Sequence, residues 1–138
     1  MVSEIIKLIE EGKIEEVLKK IDEIKGDANL EIVALSLVEK GYLDEALKVA
    51  ENIKSSGLRD EVLRKIAIAY IEKGDIEKAL AISEKIRTET DLEKIAMKLA
   101  DVKKYRAALK VAEKIRSRAI KEEILMYIIN KLLDELNY

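Results

Sequence analysis

Near copies of one short phrase recur along this chain: GYLDEALKVAENI from Gly41, GDIEKALAISEKI from Gly74, KKYRAALKVAEKI from Lys103 and, more weakly, GKIEEVLKKIDEI from Gly12. The starts at 12, 41, 74 and 103 are 29, 33 and 29 residues apart. Self-similarity at about 30 residues is the mark of stacked supersecondary units, none of which can bury its apolar face alone. Within each copy the apolar positions fall three or four residues apart, as in Ala79, Leu80, Ile82 and Ile86. That spacing puts them on one stripe of a helix, and strand-type alternation is absent.

Between the copies lie further stretches with the same periodicity, roughly Ser3 to Glu11, Ala28 to Lys40, Arg59 to Lys73, Asp91 to Val102 and Ile120 to Leu136. The expected fold is therefore all-α: four helix pairs stacked as an α-α superhelix, closed by a final helix. One repeat domain spans 1–138, with units near 1–25, 28–55, 58–87 and 90–117 and a cap over 119–136. Gly12, Gly41 and Gly74 each follow a helix and can close it in the left-handed conformation. Asp27, Asp75, Thr90, Ser117 and Ser3 precede apolar-periodic runs and are candidate N-caps. With no proline and few glycines to break them, the connections are short and successive helices antiparallel. In the last helix Ile124, Leu125, Ile128, Leu132 and Leu136 are expected to face inward.

Composition removes most chemistry. The chain has no Cys and no His, which excludes disulfides, thiolate and imidazole metal sites, and every His-dependent base. The glycines stand singly, so no phosphate-cradling loop exists. Acid pairs such as Glu11 with Glu15, or Glu72 with Asp75, lie beside lysines and lack an environment that would separate their pKa values. A catalytic role and a cofactor are not expected. Charged residues make up 39% of the chain, rich in Lys and Glu and free of Gln, a bias typical of proteins kept folded at high temperature. The longest uncharged stretches are short, and examples such as Ile66 to Ile71 and Ile124 to Asn130 fall far short of the roughly 20 residues of a membrane span. Glu4, Glu10 and Glu11 are out of place in a signal peptide, so the expected location is cytoplasmic.

The stretch IAIAYIEKGDIEKALAISEKI, Ile66 to Ile86, resembles the tetratricopeptide repeat, with a small residue at Ala67, an aromatic at Tyr70, glycine at Gly74 and alanines on the second helix. The likeness covers about two-thirds of the chain and weakens in the first unit, where Ile5 and Val17 replace the small residues. It departs from the family in lacking the early tryptophan and the closing proline, and in its spacing; a HEAT-like solenoid stays open. The resemblance implies a concave surface of first helices that holds a peptide or partner helix. Members that grip a C-terminal carboxylate use asparagines and basic residues there, whereas this chain has Leu35, Ile68 and Met97, so that clamp is absent.

Two surface features are candidates for function. Aligning units on their glycines places Leu35, Val38, Arg64, Ile68, Ile71 and Met97 along the expected groove, and the run Ile66 to Ile71 is apolar nearly all round. Core packing in a tight array would explain that run equally well. Second, ten basic side chains and two acids fall between Lys94 and Lys121, whereas residues 1–61 hold 15 acids and nine bases. Lys103, Arg106, Lys110 and Lys114, continued by Arg118, follow helical spacing, a row of like charges that an acidic partner would relieve. A solvated lysine-rich face explains it equally. Only Tyr105 lies within the patch, so the aromatic interleaving of a nucleic-acid surface is missing. The expected role is a non-catalytic adaptor for another protein or peptide, acidic in character, with self-association into a homodimer as the second reading.

Overall fold

The computed structural model describes residues 1–137, and among these the chain is all-helical. Nine α-helices follow in order: α1 (Val2–Glu10), α2 (Ile14–Lys19), α3 (Asp27–Glu39), α4 (Leu43–Ala50), α5 (Ser56–Lys73), α6 (Ile76–Ser83), α7 (Glu89–Asp101), α8 (Tyr105–Ala112) and α9 (Arg118–Leu136), with one 3-10 turn at Ile21–Glu23. The chain divides into two compact units whose boundary falls inside α5, one ending at Ile66 and the other beginning at Ala67.

In the first unit α1 packs on α2 and α3, and α3 packs on α4. Ile5, Ile9, Val33, Leu37 and Val49 fill its core, with Ala34, Ala46 and Ala50 completely enclosed. In the second unit α7 packs on α8 and α9, while α8 also meets α6 and α9. Its core takes Leu92, Ile95, Leu99, Val111, Ile115 and Ile124, again with alanines at 96, 100, 108 and 112. Buried alanines on both helices of a pair let the axes approach more closely than larger side chains would allow.

The expected turn chemistry is present. Gly12, Gly41 and Gly74 have φ of 75, 88 and 91°, and the fourth copy puts Lys103 in the same place at φ 65°, a left-handed backbone on a residue with a Cβ. Of the candidate N-caps, Asp75 accepts from Lys78 N and Ser117 from Ile120 N. Ser3 and Thr90 lie inside α1 and α7 and cap neither.

Asp27 has a different job. As the first residue of α3 it accepts the amides of Lys54 and Ser55, both at 2.9 Å. Glu89, first in α7, does the same to Arg116 and Ser117 at 2.6 and 3.1 Å. Each carboxylate fastens the start of a first helix to the backbone beyond its hairpin partner. These amide hydrogen bonds, first among several causes, hold both carboxyls below their ordinary pKa. A depressed folded pKa adds stability that is present at neutral pH and lost as pH falls through it. We expect Asp27→Asn and Glu89→Gln, which mimic the protonated acids, to be less stable than the parent chain at pH 7. Urea titrations at falling pH should show the gap closing below the ordinary carboxylate range; a gap that persists in acid would refute the linkage.

One expectation about α9 is corrected. Ile124 and Ile128 are buried, but Leu125, Leu132 and Leu136 are 38, 37 and 77% exposed. An i, i+4 row drifts by about 40° per step around a helix of 3.6 residues per turn, so by Leu136 the row begun at Ile124 has rotated off the side that meets α7 and α8.

Candidate interaction surface

The exposed apolar surface is concentrated on α9. Leu125, Met126, Ile129, Leu132, Leu133 and Leu136 lie on one face, each between 37 and 77% exposed, with no charged side chain interrupting them. The stripe ends toward the helix start at Arg118 and Glu122, whose side chains pair at 3.7 Å. The opposite side of the helix, carrying Ile124 and Ile128, is spent on the core.

Register explains why this face is open. Ala34, Ala67 and Ala96 each stand seven residues before a left-handed residue and are wholly buried, and, counted from the N-caps Thr88 and Ser117, the position of α9 that matches Ala96 is Leu125. Likewise Ala100, also enclosed, matches Ile129. In α7 these positions are small and buried; in α9 they carry large aliphatic side chains left in contact with solvent.

The groove residues divide between the units, Leu35, Val38 and Arg64 in the first and Ile68, Ile71 and Met97 in the second. Ile71 is 2% exposed and belongs to the core, while the other five are half-buried. Of the run Ile66 to Ile71, Ile66, Ala67, Tyr70 and Ile71 are enclosed, which accounts for its all-round apolarity as packing.

The basic residues do not form one row. Only Arg106 and Lys110 lie on α8; Lys103 is in the preceding turn, Lys114 follows the helix and Arg118 opens α9. Lys103 stands 3.5 Å from Glu135, and Lys114 donates to Ser83 O at 2.6 Å and lies 3.4 Å from Glu84. The acids that answer these lysines are about 30 residues away in sequence, on neighbouring helices of the same compact unit. Pairing charges unit against unit would have revealed them.

A polar cluster joins α9 to its neighbours. Asp101 accepts the Tyr127 hydroxyl and lies 3.3 Å from Lys131, whose ammonium is 5.3 Å from the centre of the Tyr127 ring. Tyr105 donates to Glu135 at 2.9 Å. Asp101, Lys103, Tyr105, Lys131, Asp134 and Glu135 line an open cavity of about 660 Å³. The bond to Asp101 is the main cause raising the Tyr127 and Lys131 pKa values, and desolvation with Glu135 raises that of Tyr105. Shifts upward from an already high value leave these groups with their protons at neutral pH, and their bonds tie α9 to α7 and α8. Nearer the start of α7, Glu93 faces Glu123 of α9, and partial desolvation with that like charge raises its carboxyl pKa.

The chain is 79% identical over 136 residues to the uncharacterized protein MJ0659 of Methanocaldococcus jannaschii, a match spanning 99% of both. The two belong to one family. No family model matches the chain, and no solved structure does. The family member in M. jannaschii comes from a thermophilic archaeon, in keeping with a composition dense in Lys and Glu. Ion pairs such as Lys98 with Glu72 at 3.1 Å use those residues between elements; singly they are worth about 0–1 kcal/mol, and they lose less to desolvation as temperature rises. No helix is long and apolar enough to cross a membrane among the described residues.

Proposed function

We propose that this chain is a non-catalytic protein-interaction module, a tetratricopeptide-like α-α superhelix that acts by presenting apolar surface to another polypeptide. The observation that carries the reading is the uninterrupted aliphatic face of α9. The repeat architecture is supported by the recurrence of local devices: a left-handed residue at 12, 41, 74 and 103, and a carboxylate fastener at Asp27 and again at Glu89. Half-buried apolar side chains in each unit, Leu35 and Val38 in the first and Ile68 and Met97 in the second, add shallower apolar surface, and Arg106 and Lys110 steer acidic segments toward the molecule.

A photo-crosslinking residue placed at Ile129 in the full chain tests the reading inside the native cell, with the same residue at the exposed, charged Glu15 as control. Covalent protein adducts, whatever the second protein, are expected from position 129 at several times the yield from position 15. Equal yields would sink the proposal.

A further inference from the structure

We infer that the α9 face is a twofold interface and that its occupant is a second copy of this chain, whose α9 lies antiparallel across it. The inference rests on the protein-interaction reading and names the partner. The face favours an apolar cover: six aliphatic or thioether side chains expose roughly 600 Å² between them, and two copies brought together bury at most about 1,200 Å², the lower end of what specific association requires.

The face is also self-complementary. Its members recur at alternating steps of three and four residues, 126, 129, 133 and 136, flanked by 125 and 132 on one side and Asn130 on the other. That is the spacing of a helix seam that packs knobs into holes. Laid antiparallel about an axis near residue 131, Ile129 meets Leu133 of the second copy and Met126 meets its Leu136, each contact occurring twice as an isologous interface requires. No charge falls on that seam, because Arg118 and Glu122 lie beyond its end and Lys131, Asp134 and Glu135 point elsewhere. A parallel arrangement would instead stack each Glu122 near its own image and set the two helix dipoles side by side in the same sense. The antiparallel one also covers on α9 the positions that in α7, as Ala96 and Ala100, are buried.

Sedimentation of the full chain at micromolar concentration tests this. A particle of twice 15.7 kDa is expected, with Ile129→Glu and Leu133→Lys each weakening the dimer by about a hundredfold or more while circular dichroism stays helical. The double variant sets opposite charges across the seam and should recover most of the dimer. Because the chain has no native cysteine, Leu132→Cys, close to the axis, should oxidise to a covalent dimer, whereas Leu125→Cys, about 18 Å from its own image along the helix, should not. A monomeric parent chain, a dimer indifferent to Ile129→Glu, or ready crosslinking of Leu125→Cys would each overturn the inference. A monomer that still yields adducts from position 129 in cells would overturn the second copy alone and leave the protein-interaction reading standing; a monomer without them would remove both.

Discussion

Leu99→Ala will remove about 2–5 kcal/mol of folding stability, the range for emptying a buried leucine site that its neighbours cannot collapse into. Leu99 is wholly enclosed on α7, which packs on both α8 and α9. A cavity there therefore withdraws contacts from two helices at once. Leu133→Ala is the control, since half of that side chain is already in water and its loss from the monomer should cost under about 1 kcal/mol. Urea denaturation of both variants, under conditions where the chain is monomeric, gives the comparison. Equal losses would mean that α9 is covered on the side described here as open, or that α7 is not the centre of its unit.

Gly74→Ala and Lys103→Gly should move stability in opposite directions. Both positions carry the left-handed backbone that ends a first helix, with φ of 91 and 65°. Nothing lies within 4 Å of where a Cβ at Gly74 would stand, so the penalty is conformational and amounts to about 1–2 kcal/mol. At Lys103 that penalty is already built in, and relieving it should return up to about 1 kcal/mol, reduced by the freedom glycine adds to the unfolded chain. The Lys103 ion pair with Glu135 is mostly exposed and contributes little against this. Thermal melts of the two single variants decide the matter: a stabilised Gly74→Ala chain would contradict the repeat register on which the helix pairs are aligned.

What could be read from residues alone was whatever depends on near neighbours. The helix stops at Gly12, Gly41 and Gly74, the caps at Asp75 and Ser117, and the pairing of short helices all follow from interactions within a few positions. Two kinds of information lay outside that range. The salt links of Lys103 and Lys114 span about 30 residues, so a tally of charges inside one segment missed the acids that answer them. The α9 stripe was misread for another reason: periodicity tells which residues share a side of a helix, but not how many other helices are present to cover it. Ile71 erred in the opposite sense, because α5 offered more apolar sides than a one-faced helix needs and the core absorbed them.

The fasteners at Asp27 and Glu89 bear on how the molecule loosens. Each closes a circuit of 27 residues, from the first turn of one helix around a complete hairpin to the amides that follow it. Fraying at a helix start and breathing at the distant bend are thus coupled, since either one breaks the bonds that hold the other.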